Sequence, residues 1–436
     1  MTDLQTAYEA IKAKQDHHNT AFNYYDGNHP LIYSTTRMEE LFRNLNTKFI
    51  ENWTAVVIDS LKERIQLSGF TVPEIHQSKV QEIWDKNTLA LESDDLHEAL
   101  IITGEAFVIV QEAVDGIPEI FYNDPRLCTA VYKPDNPRVM QYAGKMWVEA
   151  DKTSRLTLYY PDRIEYYRTK GEVDTLSGAG SFISDETIAP GGVAKNPWDK
   201  IPVFHFRTSR RALKGGLFDI IPLQDAINKL LTDMMVSADY GAFKQRYIIS
   251  NANITQLKNA PNEIWDLPAG DGTGQDTTVG EFDATNLNNY LDAINQLAGD
   301  IARISRTPKH YFYGQAGDPS GEALIAMESP LLRKVADHVE RLDPSWKAVM
   351  AFAMSLAGIT LKDSEIVTKW ETVETVQPRT RAEIRLLGRQ ADMPLTTLLK
   401  REGWTDDEVD AMVKDLSETQ SAMTEKLLEG FEKGQG

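Results

Sequence analysis

The sequence predicts a mainly helical α+β protein. Apolar residues recur at helical spacing in the N-terminal and C-terminal parts of the chain, whereas the stretch between Leu100 and Phe206 contains short runs rich in β-branched and aromatic residues. In addition, a segment rich in glycine and proline separates two long helical tracts. At 436 residues the chain is long enough for two or more structural regions.

The N-terminal part, from Leu4 to about Glu98, has a mainly helical pattern. In the tract from Thr36 to Ile65 the apolar positions fall near one face of a single amphipathic helix, namely Leu41, Leu45, Phe49, Trp53, Val56, Val57 and Leu61. The preceding segment FNYYDGNHP is typical of a turn.

The middle part predicts antiparallel strands joined by turns that contain Gly, Pro, Asn and Asp. The runs that carry this prediction are EAFVIVQEA, CTAVYK, YAGKMWVEA, RLTLYYPDRIEYYR and IPVFHFR. The stretch from Thr175 to Asp199 combines glycine and proline with little apolar periodicity, so we expect a long exposed loop there.

Helical periodicity returns from Leu217 to about Tyr247 and again from about Thr285 to Arg306. Between them, Pro261, Pro268 and three closely spaced glycines exclude a long helix and indicate a compact β-and-turn module. A third helix is expected from about Ser320 to Ala357, kinked at Pro330 and Pro344. The tail from Arg379 to Phe431 is again helical and densely charged.

The chain is acidic, with 65 Asp and Glu against 46 Lys and Arg and a net charge of -19. This balance argues against tight binding of DNA by the whole surface. No apolar run is long enough to cross a bilayer, so no membrane insertion is expected. The single cysteine, Cys128, cannot form an internal disulfide and the N-terminus lacks a signal peptide pattern, which predicts a reducing cytoplasm.

We searched the sequence for catalytic and metal-binding patterns and predict no enzyme, no metal and no cofactor. His17 and His18 are expected to face solvent, and His205 and His310 stand alone beside aromatic residues. The glycines of GDGTG lack the lysine and serine or threonine of a phosphate loop. Asp94, Asp95, His97 and Glu98 leave open a metal-dependent nuclease, although a solvated acidic turn at a helix start is the favoured explanation.

Two long helices that leave and return around a small module can form a stalk. Their apolar stripes are too extensive to leave in water, and an isolated helical hairpin buries little. Neighbouring copies of the chain in a ring could cover these stripes, while packing within one chain is the alternative.

The chain resembles the portal proteins of tailed bacteriophages, particularly those of siphophages of Gram-positive hosts. The resemblance spans nearly the whole chain and rests on the order of several segments rather than on any one of them. These are NYYDGNHP (Asn23 to Pro30), GEAFVIV (Gly104 to Val110), NPWDKIPVFHF (Asn196 to Phe206), IIPLQDAIN (Ile220 to Asn228), and SRTPKHYFYG with SGEAL (Ser305 to Leu324).

The resemblance implies a dodecameric ring around an axial channel and the following regions of each subunit. Residues 1–216 would form the wing, helical first and β-rich from about 100; residues 217–247 and 285–306 the stem helices; and residues 248–284 the clip. Residues 307–319 would form a channel-lining tunnel loop, residues 320–377 a kinked helix that returns through the wing, and residues 378–436 a helical crown.

The same resemblance assigns candidate residues. Lys309, His310 and Tyr311 of the tunnel loop would touch DNA, and Lys244 and Arg246 would either line the channel or make intersubunit salt bridges. In the clip, the candidate interface residues are Asn262, Glu263, Trp265 and Asp266, although a position in the core of the clip is the favoured explanation for Trp265.

The implied function is that of a portal protein at one capsid vertex of the virion, assembled in the host cytoplasm. Its partners would be other copies of itself, the terminase motor, the head-tail adaptor, capsid and scaffolding proteins, and double-stranded DNA in transit. A different head-tail connector or minor capsid protein is the alternative within phage structural proteins, and the cytoplasmic metal-dependent nuclease is the alternative outside them.

Overall fold

The computed structural model of the chain describes residues 2–30, 50–112, 116–173, 181–209, 213–242, 246–249, 278–283, 285–312, 320–371, 378–401, 404 and 409–417. Helices and strands both contribute, which confirms the α+β class. The helices are α1 (Asp3–Tyr25), α2 (Trp53–Lys62), α3 (Glu74–Lys86), α4 (Leu89–Thr103), α5 (Ile221–Ala242), α6 (Asn288–Ser305), α7 (Gly321–Leu356), α8 (Pro378–Gln390) and α9 (Leu395–Arg401).

The strands form four antiparallel arrangements. They are β1 (Leu67–Thr71), β2 (Glu105–Gln111), β3 (Glu119–Asn123), β4 (Cys128–Tyr132), β5 (Met140–Val148), β6 (Ser154–Tyr159), β7 (Arg163–Thr169), β8 (Phe182–Ser184), β9 (Val193–Lys195), β10 (Val203–Arg207), β11 (Arg246–Ile249), β12 (Thr278–Glu281) and β13 (Val367–Trp370). The largest sheet has the order β4-β5-β6-β7-β8, with β9 also paired to β7. Strand β2 lies between β10 and β3, β1 pairs with β13, and β11 pairs with β12.

The chain divides into two compact units. One comprises Met1–Ala316 and Glu328–Glu371, and the other comprises Gly317–Met327 and Thr372–Gly436. In the second unit, the described residues include α8, α9 and a helical stretch at 409–417, with Leu398 and Leu399 buried. The break between α8 and α9 falls at the DMP sequence, where Pro394 ends the possibility of one continuous helix.

Strand β2 is the centre of the first unit because both of its faces are covered. Ala106, Val108 and Val110 point into the main core, whereas Phe107 and Ile109 point into a second cluster with Cys128 and Val203. Alternate side chains of a strand point to opposite faces, so a strand buried on both sides is apolar throughout. This explains why EAFVIVQ has no alternation of polar and apolar residues.

Helix α7 crosses the main core despite two internal prolines, Pro330 and Pro344. Its buried side chains are Leu331, Leu342, Trp346, Val349, Met350, Phe352, Ala353 and Met354. The Trp346 indole is fully buried and donates from Nε1 to Nε2 of His97 on α4 over 3.0 Å. The other ring nitrogen of His97 lies 3.1 Å from the carbonyl oxygen of Ile65, so it carries the proton and donates there.

The structure departs in three details from the expectations for the N-terminal and middle parts. Helix α2 begins at Trp53, and the side chain of Asn52 caps it by accepting from the Ala55 amide at 3.3 Å, so no single helix runs from Thr36 to Ile65; Leu41, Leu45 and Phe49 lie outside the described residues. The mainly helical N-terminal part contains a strand, β1, whose partner β13 lies 300 residues away in the sequence and gives no local signal. The expected loop from Thr175 to Asp199 contains β8 and β9, which are held by pairing with β7.

The turn predicted at FNYYDGNHP begins later than expected, because α1 continues through Tyr25. In the region predicted to be helical from 217 to 247, α5 spans Ile221–Ala242, and in the region 285–306, α6 spans Asn288–Ser305. Among the described residues no helix is both long enough and apolar enough to span a membrane.

The link from β10 to α5 passes so close to the end of α4 that it requires glycine. A Cβ atom on Gly215 would lie 1.8 Å from the carbonyl oxygen of Ile102, and one on Gly104, which has a φ of +93°, would lie 2.7 Å from the Lys214 amide nitrogen. The Gly216 amide donates to the carbonyl oxygen of Ile101 over 2.7 Å at the same place. The start of α5 is therefore fixed to the end of α4 by direct backbone contact.

We predict that Gly215→Ala lowers the free energy of unfolding by at least about 2 kcal/mol, because the methyl group must displace backbone rather than a flexible side chain. Urea unfolding followed by far-UV circular dichroism measures the change. Gly171→Ala is the matched control, since no atom lies within 4 Å of a Cβ placed there. Equal stabilities of the two variants would contradict the proposed close contact.

Candidate functional site

Helices α5 and α6 pack on each other and present apolar side chains on more than one face. Ile294, Ala298 and Ile301 of α6 are buried in the main core, and the Tyr290 hydroxyl lies 3.0 Å from the Ser237 hydroxyl of α5. Near the two ends of α6, Leu291 is exposed by 45% and Ile304 by 50%. Exposed leucine and isoleucine on a helix suit contact with another protein surface.

The β11–β12 pair continues the α5–α6 pair and is also apolar outside. Tyr247, Ile249, Val279 and Phe282 are exposed, and the rings of Tyr247 and Phe282 lie 5.2 Å apart. Arg246 is the first residue of β11. Lys244 and the four predicted clip residues, Asn262, Glu263, Trp265 and Asp266, lie outside the described residues.

The C-terminal end of α6 is held by a lysine from α7. The Lys334 ammonium group donates to the carbonyl oxygen of Ser305 over 3.1 Å, where a cation also favours the negative end of the helix dipole. Burial, together with the charge of Arg306, lowers the pKa of Lys334 to about 8. Arg306 itself is in the left-handed region with a φ of +61°, which turns the chain out of the helix.

The three predicted DNA-contacting residues form a short 3-10 helix, Lys309–Tyr311, directly after this turn. They do not share one environment: Lys309 is exposed, whereas His310 and Tyr311 are half-buried. The following Phe312 is buried and meets Trp53 edge to face, with ring centroids 5.9 Å apart. The short helix is thus seated on α2, and Lys309 is the one of the three predicted residues that is exposed to solvent.

Tyr311 is fixed by a buried pair of opposite charges. Its hydroxyl accepts from Nη2 of Arg64 over 2.5 Å and donates to Oε1 of Glu328 over 3.1 Å. The same arginine nitrogen lies 3.6 Å from Oε2 of Glu328, and these two charged side chains are only 10% and 7% exposed. Arg64 follows α2 in the chain, so this trio, which we call the Arg64 clamp, joins the end of the short helix to α7 and to the end of α2.

The acidic group that left open a nuclease is engaged in structural pairs. Lys62 lies 2.6 Å from a Glu98 carboxylate oxygen and 3.0 Å from an Asp94 oxygen. The Tyr25 hydroxyl donates to Asp59 and is 3.2 Å from Glu98. Asp94 and Glu98 lie in the interior of α4 rather than at a helix start, which corrects the sequence interpretation. Within the described ranges no three His, Cys, Asp or Glu side chains form a group able to hold a metal ion.

A second polar cluster was missed in the sequence because its members are far apart along the chain. Glu105 of β2 is buried, with Lys14 of α1 at 2.5 Å from Oε1 and Nε2 of His205 at 2.9 Å from Oε2. His205 stacks on Phe107 with centroids 4.5 Å apart, and its Nδ1 lies 3.0 Å from the Tyr132 hydroxyl. His205 is therefore not the isolated histidine that its sequence context suggested.

His18 joins this cluster and corrects the expectation that it faces solvent. Its side chain is fully buried, its Nε2 lies 3.6 Å from Glu105, and neither ring nitrogen has a hydrogen-bond partner among the described residues. Its neighbour His17 is exposed and stacks on Phe218, with centroids 3.7 Å apart. Because α1 turns by about 100° per residue, adjacent histidines in the sequence point in different directions.

The pKa values in the cluster follow from burial and from the neighbouring charges. Burial lowers the pKa of His18 to about 4 and also lowers the pKa of His205. For Glu105, burial acts upward, but the hydrogen bond from His205 and the charge of Lys14 outweigh it and lower the pKa to about 2. Near neutral pH the cluster consists of one carboxylate, one ammonium group and uncharged imidazoles.

A sequence profile of the phage portal proteins of the SPP1 Gp6-like type matches residues 7–426. The chain belongs to this portal family. The portal function predicted from the sequence, a homo-oligomeric ring at a capsid vertex of the virion, is thereby confirmed, and with it the resemblance stated above.

The curated portal relatives are distant in sequence. The portal protein of Mycobacterium phage D29 is 24% identical over 347 residues, which cover 73% of this chain and 67% of the relative. That of Mycobacterium phage L5 is 23% identical over 347 residues, covering 73% of this chain and 66% of the relative. The chain thus spans about two thirds of the length of these curated portal proteins.

Solved structures similar to this portal chain include subunits of gene transfer agent particles. A chain from the neck of an empty particle, computed with C6 symmetry, has a TM-score of 0.46 and 13% identity, covering 82% of this chain and 89% of that chain. A chain from the neck of a native particle, computed with C12 symmetry, has a TM-score of 0.45 and 12% identity, covering 87% and 94% of the two chains.

We predict that removing Arg64 destabilises this portal subunit more than removing the Tyr311 hydroxyl. Arg64→Met leaves the buried Glu328 carboxylate without its cation, at a cost of about 3–5 kcal/mol, whereas Tyr311→Phe removes one hydroxyl, at about 1–2 kcal/mol. Urea unfolding of the purified chain gives both values. Adding Glu328→Gln to Arg64→Met should recover part of the loss, and Glu63→Gln, on an exposed neighbour, should change little.

The Arg64 clamp would be refuted if Arg64→Met cost less than about 1 kcal/mol, the value of an exposed ion pair.

A second prediction concerns pH. Because the pKa of His18 is about 4 in the folded chain and about 6.5 when unfolded, the unfolded state binds more protons between these values. The folded state therefore loses about 1.4 kcal/mol per pH unit from this residue as the pH falls below about 6.5. The contribution of Glu105 is present above about 4.5 and is lost only below it. Between about pH 4.5 and 8 the buried His97 and His205, whose pKa values are also lowered, contribute to the slope in the same direction, so the difference between the unmodified chain and a His18 variant isolates His18.

His18→Leu should flatten this slope by about 1.4 kcal/mol per pH unit and leave the stability at pH 8 nearly unchanged, since no hydrogen bond of the ring is lost. The same substitution at the partly exposed His76 serves as the control. An unchanged slope in His18→Leu would show that the ring is hydrated or protonated in the folded chain.

Proposed function

We propose that twelve copies of this chain form the ring and that DNA passes along its axis during packaging and ejection, without any catalytic step by the ring itself. The observation that carries this proposal is the sequence of elements α5, β11–β12, α6 and the short helix Lys309–Tyr311. It supports the order of stem, clip and tunnel loop implied by the family resemblance, 217–247 with 285–306, 248–284 and 307–319, except that Arg246 and Tyr247 of the first stem range belong to strand β11.

The exposed apolar residues of α6 and β11–β12 support a ring in which these elements contact neighbouring copies. Leu291 and Ile304 are exposed on α6, and Ile249 and Phe282 add exposed apolar side chains at the strands. Burying such side chains against a second copy stabilises the contact between copies by up to about 1.5–3 kcal/mol per residue. Twelve equivalent contacts would close the ring.

DNA in this ring would touch Lys309 before any other predicted residue. Lys309 is exposed at the short helix, whereas the Tyr311 hydroxyl is used inside the subunit by Arg64 and Glu328. We therefore assign DNA contact to Lys309 and assign a positioning role to Tyr311. His310 lies between them with its ring at right angles to that of Tyr311 and centroids 4.7 Å apart.

The acidic charge fits a conduit rather than a binding protein. A wall that made many phosphate contacts would hold DNA with an affinity that rises steeply with the number of cations. With a net charge of -19 per copy, the ring repels the duplex on all sides, and one ring of lysines supplies weak contact points. This balance allows DNA to slide.

The proposed partners are the terminase motor and the head-tail adaptor at the clip, capsid and scaffolding proteins at the wing, and DNA in the channel. The clip contacts are assigned to Asn262, Glu263, Trp265 and Asp266, and Lys244 and Arg246 to the channel wall or to intersubunit salt bridges. Assembly would take place in the host cytoplasm. A nuclease role is disfavoured because Asp94 and Glu98 are paired with Lys62.

Replacing Lys309 should change DNA handling and leave the ring intact. We expect Lys309→Glu to shorten or destabilise the packaged genome, because a ring of carboxylates replaces the ring of ammonium groups facing the duplex. Pulsed-field electrophoresis of DNA from purified particles and the titre of infectious phage measure the effect. Lys369→Glu, an equal charge change at an exposed residue of β13, is the control.

If rings of Lys309→Glu form normally and genome length, retention and titre equal those of the control, Lys309 does not face DNA. Loss of rings in Lys309→Glu but not in the control would instead place Lys309 at a subunit contact and refute its channel position.

A further inference from the structure

Two adjoining cavities lie where β4, β5, β10 and α7 meet. The larger has a volume of about 600 Å³ and the smaller about 410 Å³. Both are lined by Tyr132, His205, Arg207 and Ser209. The larger cavity is further lined by Arg138, Met140, Thr208, Glu340, Arg341, Pro344 and Ser345.

Three arginines surround the larger cavity without a carboxylate partner. Arg207 lies over the Tyr132 ring, with Cζ 4.2 Å from the centroid, and donates to the Pro137 carbonyl oxygen over 3.4 Å. Arg341 donates to the Thr208 carbonyl oxygen, and Arg138 is exposed in the turn before β5. Among the described residues, none of the three has an Asp or Glu oxygen within 4 Å, although other arginines of the chain do.

The acidic groups near the cavities do not neutralise these arginines. Glu105, which lines the smaller cavity, is already compensated by Lys14 at 2.5 Å. Glu340 is exposed at the rim of the larger cavity. A concave surface with three uncompensated guanidinium groups is unusual on a chain with 65 acidic and 46 basic residues.

Two of the arginines, Arg207 and Arg341, are also held in place before any ligand arrives. The backbone oxygens of Pro137 and Thr208 each take one guanidinium hydrogen, and the Tyr132 ring supports the plane of Arg207. A planar guanidinium group that is already oriented loses little entropy when it binds, and its remaining hydrogens match two oxygens of a carboxylate. The site therefore suits carboxylate groups better than a diffuse cloud of counterions.

We propose that this cavity receives the carboxylate side chains of an acidic segment from the neighbouring copy in the ring. This inference rests on the proposed ring. Charge complementarity supports it, because each copy carries a net charge of -19 and the cavity is one place where a second acidic copy is attracted rather than repelled. The pairing would also fix the angle between neighbours, since an arginine fork accepts a carboxylate in one plane.

DNA is a poorer occupant of the cavity. Duplex recognition uses cations spread along a surface that follows the backbone, whereas these three arginines surround a concave volume of about 600 Å³ that admits side chains. Their polar neighbours, Ser345 and Thr208, are short and leave space at the centre. We therefore assign the cavity to protein carboxylates and treat cross-linking to nucleic acid as an opposing outcome.

The first test reverses charge at the cavity and measures ring assembly. Arg138→Glu with Arg341→Glu should raise the protein concentration at half-assembly by about tenfold or more at about 0.15 M salt, measured by mass photometry. Lys133→Glu with Lys369→Glu changes the net charge equally at exposed positions outside the cavity and should leave assembly unchanged. Circular dichroism confirms that each variant is folded.

A milder pair, Arg138→Gln with Arg341→Gln, keeps a hydrogen-bond donor at each site and guards against loss of folding. It should raise the half-assembly concentration by a smaller factor than the Glu pair. If the Glu pair assembles like the lysine control, the proposal is wrong while the ring stands. If the unmodified chain stays monomeric at every concentration, the ring itself fails.

The second test identifies the occupant. Benzoylphenylalanine in place of Ser345, in rings assembled from equal parts of light and nitrogen-15-labelled copies, should give mixed-isotope cross-links to a peptide rich in Asp and Glu. Cross-links within single copies only, or to DNA in filled particles, would overturn the assignment.

Discussion

The burial of α7 is the constraint on which the rest of the first unit depends. Its centre is the Trp346 indole, which is fully buried and donates to His97. His97 can accept there only because its other nitrogen donates to the Ile65 carbonyl oxygen. One imidazole thus links α7, α4 and the chain segment that leads into β1. Burial lowers the pKa of His97 to about 3, so the ring stays uncharged and this linkage persists through the physiological range.

The same helix sets the position of the short helix Lys309–Tyr311, the segment proposed to line the channel. Lys334 of α7 holds the last carbonyl groups of α6, and Glu328 of α7 holds Tyr311 through the Arg64 clamp. The short helix carrying Lys309 lies between these two anchors. We infer that a displacement of α7 would move Lys309, because both anchors are side chains of that one helix.

Local pattern accounted for much of this architecture. The helical spacing located α5 and α6 within the tracts 217–247 and 285–306, and the β-branched runs located the strands β2, β4 to β7 and β10. The signal is strong there because each element buries one face along its length. It failed where an element is held by a partner far away in the sequence, as with β1 and β13, or by short pairing onto an existing sheet, as with β8 and β9.

The candidate site was harder to predict from the sequence, because its contacts also join residues that are far apart along the chain. Lys309, His310 and Tyr311 came from a family resemblance, and only the tertiary contacts separate an exposed lysine from a tyrosine that is hydrogen-bonded inside the subunit. The Glu105 cluster and the arginine cavity bring together residues as far apart as Lys14 and Arg341, each of which looks like an ordinary surface or core residue in its own sequence context. Such residues come together only in the folded chain, so no local sequence pattern predicts that they meet.

The most direct test of the central claim is a cryo-electron microscopy reconstruction of the purified chain at a resolution that shows side chains. The account predicts a closed ring with an axial channel, α6 and β11–β12 packed against the next copy, and Lys309 on the channel wall. A monomeric particle would contradict it. So would a ring in which Lys309 lies away from the axis and Leu291 and Ile304 of α6 face solvent.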